Sequence, residues 1–162
     1  MKVLFLDIDG VLNSRRSCIA FGGYPHEVTG HPRQMFDEVA VALIRGIVKQ
    51  AGAKVVLSSS WRIVDDHGHI GQGLDMPIID ATPVLAGKRG EEIAAWLAAH
   101  PEVETYAIVD DDSDMLDGQL PHFIHTNHSD GFLWQHAQQM AEIFGIDLYD
   151  VNRAAKLGWE PA

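Results

Sequence analysis

The sequence has a single cysteine and no long apolar run, and each absence narrows the class of protein. With Cys18 alone, no disulfide can link two parts of the chain, so a reducing, cytoplasmic environment is the expected setting. No apolar run approaches the roughly 18 residues of a membrane span. The apolar run at residues 3–6 is also shorter than the roughly 7 residues that a signal peptide requires. We therefore expect a cytoplasmic protein that does not associate with membranes.

Positive charge is also scarce, with 12 Lys and Arg residues against 23 Asp and Glu residues and a net charge of -11. Such a chain lacks the basic surface that binds a long duplex, so stable binding to duplex nucleic acid is not expected. An acidic balance does fit a site in which several carboxylates surround a cation. With 162 residues, 46% of them hydrophobic, the chain can form one domain with a substantial core, which we expect to span residues 1–162.

Short apolar runs alternate with amphipathic segments along the chain. The pattern predicts strands over residues 3–6, 54–57 and 106–109, with a weaker one over 122–124. It predicts helices over residues 37–51, 91–100 and 133–144. Residues 13–36 and 59–86 are expected to be irregular, with at most a short helix in the second stretch. The predicted fold is therefore three-layered α/β, with a parallel sheet covered by helices on both faces.

Three of the predicted strands are followed directly by carboxylates or hydroxyls. The first is followed by DIDG, which begins at Asp7, the second by Ser58, and the third by DDDSD, which begins at Asp110. Ligands of open α/β sheets bind beyond the carboxyl ends of the strands, so these side chains are predicted to share one site. Strand alternation turns Asp7 and Asp9 roughly the same way and directs the residue between them towards the core.

Clustered carboxylates repel one another, and a bound cation removes that repulsion. Two unit charges roughly 4 Å apart cost about 4 kcal/mol at an effective dielectric of about 20. Mg²⁺ is a hard cation that takes a few carboxylate ligands and accepts a phosphate oxygen, so Mg²⁺ is the expected cofactor. An EF-hand calcium loop is excluded, because its fifth and twelfth positions, counted from Asp7, hold Val11 and Cys18.

The ordered motifs resemble those of the haloacid dehalogenase (HAD) superfamily of phosphotransferases. They are DxDG after the first strand, Ser after the second, Lys or Arg at a helix start, and DD with a further Asp after the third. The segments DIDGVLN, LSSSWR, RGEEIAAWL and IVDDDSDM are similar to those of the small HAD phosphatases found in nucleic-acid (RNA) end-repair proteins. The resemblance covers residues 7–114 and implies a Rossmann-like sheet of the HAD type.

The resemblance also implies a phosphomonoesterase that works through an aspartyl-phosphate. Asp7 would be the nucleophile, and Asp9 would be the general acid and later the general base. Ser58 would donate a hydrogen bond to a phosphate oxygen. Either Lys88 or Arg89 would neutralise charge at the phosphoryl group.

The implied metal site combines the carboxylates of Asp7 and Asp110 with the backbone carbonyl of Asp9. A further ligand would come from either Asp111 or Asp114, and the sequence leaves both open. Mg²⁺ is the implied metal, because a carboxylate nucleophile can approach an anionic phosphate only with a cation and a basic side chain present.

Little or no cap domain is expected, because residues 13–36 and the single helix after Arg89 leave no room for one. An open site suits a phosphate on a large group, so a terminal phosphate on a nucleic acid or nucleotide is the favoured substrate. Arg15, Arg16 and Arg62 are candidate substrate contacts. A small-metabolite phosphatase and a non-catalytic binding module of the same fold are the alternatives. The sequence does not define the oligomeric state.

The tryptophans and histidines are interpreted as structural or surface residues. Trp61, Trp96, Trp134 and Trp159 are predicted to pack against the core rather than to stack on bases. No cysteine accompanies the histidines, and their spacings match no standard zinc site, so we interpret them as scattered surface residues.

Overall fold

The computed structural model describes residues 1–148, in which strands alternate with helices. The strands are β1 (Lys2–Leu6), β2 (Lys54–Leu57), β3 (Ile78–Ala81), β4 (Thr105–Asp110) and β5 (Phe123–His125). The helices are α1 (Arg15–Phe21), α2 (Gly30–Arg33), α3 (Glu38–Ala51), α4 (His67–Leu74), α5 (Arg89–Ala98) and α6 (Trp134–Phe144). Short 3-10 turns cover Ser60–Ile63 and Asp117–His122.

The five strands form one parallel sheet in the order β3-β2-β1-β4-β5. The chain moves outwards from β1 through β2 to β3, and then crosses back to place β4 on the other side of β1. The carboxyl ends of β1 and β4 therefore form the switch point of the sheet, where open α/β folds bind their ligands. The predicted parallel α/β architecture is confirmed.

Apolar side chains cover both faces of the sheet. Leu4 and Leu6 of β1 belong to a core cluster that includes residues of α3 and α6. Val3 and Phe5 belong to a second cluster with residues of α5, where the Trp96 ring centroid lies 5.4 Å from that of Phe5. Because β1 contributes alternate residues to two cores, it is covered on both faces, as its unbroken apolar run predicts.

The predicted strands and helices are present, with ends shifted by one or two residues. The helix predicted over residues 37–51 is α3, and the Asp37 carboxylate caps it by accepting hydrogen bonds from the Val39 and Ala40 N–H groups. The helix predicted over residues 91–100 is α5, which begins two residues earlier. The weak strand predicted over residues 122–124 is β5, shifted by one residue.

Three further elements, β3, α1 and the single-turn helix α2, correct the expectation that residues 13–36 and 59–86 are irregular, and α4 is the short helix allowed in the second stretch. β3 is an edge strand of four residues in which Asp80 interrupts the apolar run. α1 buries only Ser17, whereas its apolar residues Ile19 and Phe21 are exposed. Neither β3 nor α1 therefore shows the inward-facing apolar periodicity by which strands and helices are recognised.

Between β1 and α3 the chain forms only α1, α2 and their connecting loops. This segment is a minimal cap, as expected from the small number of residues available. Within residues 1–148, no helix is both long enough and apolar enough to cross a membrane.

Two of the four tryptophans are buried, as predicted. Trp61 is 8% exposed, and Trp96 is 4% exposed and donates from Nε1 to Asp80 Oδ2 at 2.7 Å. Trp134, the first residue of α6, is instead 45% exposed. Trp159 lies outside the described residues.

A close contact at Gly73 packs the loop of residues 22–29 against α4. A Cβ at position 73 would lie 2.5 Å from the Val28 Cβ and 2.7 Å from the Val28 carbonyl oxygen. Val28 is buried, and Arg33 Nε donates to the Gly73 carbonyl at 2.9 Å. Glycine is therefore required for this approach, and the loop it holds forms one wall of the site described below.

We predict that Gly73→Ala destabilises the protein by about 1–3 kcal/mol, because the added methyl group overpacks this contact. Gly118→Ala is the matched control, since a Cβ at position 118 meets no atom within 4 Å. The measurement is the urea midpoint of unfolding for both variants and the parent protein. Equal midpoints for Gly73→Ala and the parent would contradict the packing described for this loop.

Candidate active site

Asp7, Ser58 and Asp110 lie side by side at one edge of the sheet, where β1, β2 and β4 end. The last aligned residues of these strands are 6, 57 and 109, so each polar residue is the next one along its strand. The Asp7 N–H donates to the Val109 carbonyl, and the Ser58 N–H donates to the Leu6 carbonyl, each at 3.0 Å. These backbone hydrogen bonds extend the sheet by one residue and fix the polar side chains on rigid elements.

Asp111 joins Asp7 and Asp110 in a cluster of three carboxylates. One oxygen from each lies within 4.8 Å of the others. Asp7 and Asp110 are 6% and 0% exposed, so two of the three carboxylates are inside the protein. Gly10 permits the approach of Asp111, because its φ is +77° and a Cβ there would lie 2.3 Å from Asp111 Oδ2. Of the two further ligands that the sequence leaves open, Asp111 is the one in the cluster.

Asp114 lies apart from this cluster, at the start of α5. Its Oδ2 accepts a hydrogen bond from the Arg89 N–H at 3.0 Å, and its carbonyl accepts one from the Gly90 N–H at 3.2 Å. A carboxylate is favoured here by the positive end of the helix dipole. Asp114 therefore holds the helix start that carries Arg89.

The Arg89 side chain reaches from the start of α5 into the carboxylate cluster. Its Nη1 lies 3.6 Å from Asp7 Oδ1 and 3.3 Å from Asp110 Oδ2. The same nitrogen donates to the Ser58 carbonyl. Lys88 is exposed at the N-cap position of the helix. Of the two basic residues that the sequence leaves open, Arg89 is therefore the one that the fold brings to the carboxylates.

Gly90 sets how closely α5 approaches the loop that follows β4. A Cβ at position 90 would lie 2.6 Å from both the Leu116 nitrogen and Gln119 Oε1. Gln119 is buried and donates from Nε2 to the Gly90 carbonyl at 2.7 Å. Gly90 is thus a positioning residue for Arg89 that sequence reasoning missed. Its glycine identity is the only signal in the sequence, and that signal alone does not specify a close approach.

Burial raises the pKa values of the clustered carboxyl groups. The pKa of Asp110 is raised to about 8, first by burial and then by the Asp7 charge, while Arg89 acts in the opposite direction. The pKa of Asp7 is raised to about 6 by burial, against the lowering effects of Arg89 and the Ser59 hydroxyl. Burial also raises the pKa of Asp111. In the metal-free cluster, burial therefore disfavours the ionised forms of these carboxyl groups.

The donor set of this cluster fits a hard divalent cation. It consists of carboxylate oxygens, which are the ligands that Mg²⁺ and similar cations prefer. Within the described residues, Ser58 Oγ is buried without a hydrogen-bond partner, and Asp110 Oδ2 makes no hydrogen bond beyond its ion pair with Arg89. Arg89 supplies one positive charge against three carboxylates, so the site retains negative charge that a cation would neutralise.

Asp9 has different surroundings from Asp7. It is exposed, and its two carboxylate oxygens accept hydrogen bonds from Asn13 Nδ2 at 3.0 Å and from Trp61 Nε1 at 3.1 Å. Ile8 lies between the two aspartates and is fully buried, as strand alternation predicts. The two neutral donors fix the orientation of the Asp9 carboxylate and leave it accessible.

Asn13 and Trp61 are candidate site residues that sequence reasoning missed. Asn13 is 1% exposed and follows Asp9 by four residues, whereas Trp61 follows it by 52. The motifs DIDGVLN and LSSSWR contain these two residues, so both lie in segments already noted for the resemblance. Only the fold shows that they meet at the Asp9 carboxylate.

Arg62 is a buried structural residue, which corrects the expectation that it contacts substrate. Its side chain is 5% exposed, and its Nη2 lies 2.6 Å from Glu92 Oε2. Its Nη1 donates to the Ser58 and Ser59 carbonyls at 2.8 and 2.7 Å. Its Nε donates to the Thr82 carbonyl at 3.1 Å. The Arg62 guanidinium group therefore holds the end of β2 in place, and its donors are occupied within the protein.

Arg15 and Arg16 form the exposed start of α1. The Arg15 N–H donates to the His128 carbonyl at 2.9 Å, and the Arg16 N–H donates to the Ser129 carbonyl at 3.0 Å. Arg16 Nη2 lies 3.1 Å from Asp37 Oδ2, yet 56% of the Arg16 side chain is exposed. Both arginines are therefore accessible for substrate contact.

A cleft of about 680 Å³ opens beside Asp9. Its walls include residues 24–26, Trp61, Val64 and His128, and they are mostly apolar. The cleft therefore connects the exposed aspartate at the strand ends with an apolar and aromatic surface.

The parallel sheet and the carboxylates at its switch point define an α/β protein with a strand-end ligand site. A model of the family described as the HAD domain in Swiss Army Knife RNA repair proteins matches residues 3–137. The match contains all five strands apart from the first residue of β1, together with every site residue described above, and the chain belongs to this family of HAD domains. The resemblance noted in the sequence is thereby confirmed. Neither a curated protein nor a solved structure matches the chain.

We predict that the metal-free protein is destabilised by Asp110 as the pH rises. The folded-state pKa of Asp110 is raised from 3.8 to about 8, so folding favours its protonated form. The resulting stabilisation is complete below pH 3.8 and is lost as the pH rises through about 8. Asp110→Asn stays neutral throughout. In excess EDTA, its melting temperature should therefore exceed that of the parent by a margin that grows across this interval.

The measurement is the melting temperature against pH for the parent and the variant. Asp117→Asn removes an exposed carboxylate outside the cluster and serves as the control. A margin for Asp110→Asn that does not change with pH would show that Asp110 is ionised in the folded protein.

Proposed function

We propose that the protein is a Mg²⁺-dependent phosphomonoesterase that forms an aspartyl-phosphate on Asp7. The favoured substrate is a terminal phosphate on a nucleic acid or nucleotide. The observation that best supports this function is the contact of Arg89 with the buried carboxylates of Asp7 and Asp110 at the switch point of the sheet. The family match to HAD domains of RNA repair proteins favours a nucleic-acid substrate.

The groups around Asp7 are suited to binding a phosphoryl group. Arg89 supplies the positive charge that offsets the repulsion between the carboxylate and an anionic phosphate. Ser58 Oγ has no hydrogen-bond partner among the described residues, so it can donate to a phosphate oxygen. Mg²⁺ held by Asp7, Asp110 and Asp111 would supply further charge neutralisation for the phosphoryl oxygens. Phosphoryl transfer depends mainly on such positioning and electrostatic stabilisation.

The proposed reaction has two steps. In the first, the Asp7 carboxylate attacks phosphorus, and the bond to the leaving-group oxygen breaks as Asp9 donates a proton to that oxygen. In the second, Asp9 removes a proton from water, and the water oxygen attacks the phosphorus of the aspartyl-phosphate. The bond between Asp7 and phosphorus then breaks, which releases inorganic phosphate. Asp9 suits both steps because it is exposed and held in place by Asn13 and Trp61.

Asp7→Asn is expected to abolish phosphatase activity, because the amide has nearly the same shape but cannot attack phosphorus at a useful rate. The measurement is the release of inorganic phosphate, with Mg²⁺, from oligonucleotides carrying 3′ or 5′ phosphates, from mononucleotides and from sugar phosphates. Turnover by the variant in a preparation free of other phosphatases would exclude Asp7 as the nucleophile.

The parent protein in the same assay distinguishes the alternatives. A clear preference for a sugar phosphate would favour a small-metabolite phosphatase. Failure to hydrolyse any ester would favour a non-catalytic binding module. Full activity in excess EDTA would remove Mg²⁺ from the mechanism.

The neighbouring cations of the RGEEI segment provide a second, matched test. Arg89→Ala should lower kcat/KM by about 100-fold or more, because it removes a charge positioned against the phosphoryl group. Lys88→Ala should change kcat/KM by less than about threefold, since an exposed charge outside the site contributes little. Steady-state kinetics on the best substrate measures both. The opposite order of effects would assign the phosphate-binding role to Lys88.

A further inference from the structure

We propose that the cleft beside Asp9 binds an unpaired nucleobase of the substrate, so that the enzyme acts on the terminal nucleoside of a single strand. This inference rests on the proposed phosphatase function and adds a second subsite to it. The subsite is formed by Tyr24, Trp61, Val64 and His128.

The position of the cleft relative to Asp9 is the first support. Asp9 would donate its proton to the leaving-group oxygen, so the rest of the leaving group must lie next to Asp9. Asp9 itself lines the cleft, whose volume of about 680 Å³ is within the range of about 300–1,000 Å³ typical of small-ligand sites. Trp61 both lines the cleft and donates to the Asp9 carboxylate. The leaving-group pocket and the proton donor are therefore adjacent.

The aromatic residues of the cleft supply a stacking surface. Tyr24 is 43% exposed, and its ring is nearly parallel to that of His128, with an interplanar angle of 23° and centroids 6.1 Å apart. Trp61 also lines the cleft but is only 8% exposed, so Tyr24 and His128 supply most of the stacking surface. Aromatic side chains bind bases of any sequence, because every base has a π face.

The apolar residues at the edge of the cleft favour a base over a sugar phosphate. Ile63 and Val64 line the cleft and are 64% and 84% exposed, so the core does not account for them. Together with the mostly apolar walls of the cleft, these side chains form an exposed apolar surface beside Asp9. A sugar phosphate carries mostly hydroxyl and phosphate oxygens and would gain less from such walls, whereas a planar base would be partly removed from water.

The charge at the rim of the cleft fits a nucleic-acid strand. Arg15 and Arg16 are exposed, and the Arg15 N–H is bonded to the carbonyl of the cleft residue His128. Arg16 is already paired with Asp37, so Arg15 is the cation beside the cleft that would meet a phosphodiester group of a strand that leaves it. A base in a duplex would have to unpair before it could enter, so the cleft selects single-stranded ends.

The test uses the single-stranded RNA pentamer ApApApApA with hydroxyl groups at both ends, titrated into the full chain with Mg²⁺ and followed by tryptophan fluorescence. Because this probe carries no terminal phosphate, its binding does not depend on phosphatase activity. We expect saturable quenching that weakens about tenfold or more in Tyr24→Ala and is retained in Tyr24→Phe, which keeps the ring. Phe21→Ala is the matched control, since Phe21 is a 51% exposed aromatic residue outside the cleft.

Several outcomes would overturn the inference. They are the absence of saturable binding by the parent, equal affinity of the parent and Tyr24→Ala, and tighter binding of the same sequence in a duplex. Saturable, Tyr24-dependent binding of a phosphoserine peptide in place of the pentamer would assign the cleft to a protein substrate instead.

Failure of this inference can be distinguished from failure of the proposed function. If the pentamer binds and the parent hydrolyses no phosphate ester, the phosphatase function fails and the nucleobase site stands. If the parent hydrolyses a 3′-phosphorylated pentamer and Tyr24→Ala binds the unphosphorylated pentamer as well as the parent does, only the nucleobase site fails.

Discussion

The arrangement of the site depends on how the negative charges of Asp7 and Asp110 are stabilised at the carboxyl ends of β1 and β4. Asp7 and Asp110 are almost completely buried, and their pKa values are raised because little water is present to stabilise the ionised carboxylates. Arg89 offsets part of this cost, since one of its nitrogens lies within 4 Å of both carboxylates. In the proposed function, the charge that Arg89 leaves uncompensated would favour a divalent cation bound by these carboxylates.

Ionic contacts behind the cluster hold Arg89 in position. Glu92 Oε2 lies 2.6 Å from Arg62 Nη2 and 3.9 Å from Arg89 Nε, so one buried carboxylate aligns two guanidinium groups. Both arginines also donate to the Ser58 carbonyl, which joins the end of β2 to the start of α5. Removing one partner of such a buried pair leaves an uncompensated charge. Glu92 and Arg62, which lie behind the cluster, therefore control the geometry of Arg89 and Ser58.

The strand-end acids can be predicted from the sequence, because an apolar run followed by a carboxylate determines the edge of the sheet at which that carboxylate lies. Asp7 and Asp110 follow this rule. β3 and α1 cannot be recognised in the same way, since an acidic residue interrupts the first and the apolar residues of the second are exposed. The contacts of Asn13 and Trp61 depend on how two loops meet. Arg62 shows the reverse case, since only its burial reveals that its donors are already used.

Asp7 and Asp9 are two residues apart but have opposite surroundings, and this difference separates their chemistry. β1 ends at Leu6, but the Asp7 N–H still donates to the Val109 carbonyl at the edge of the sheet. Asp9 lies farther along, in the segment that leaves the sheet. Carboxylates in different environments can take different roles in one reaction. In the proposed reaction, the buried carboxylate would attack phosphorus and the exposed one would exchange protons with a leaving group and with water. Because Trp61 donates to Asp9 and also lines the cleft, this one side chain would position the proposed proton donor relative to the leaving group.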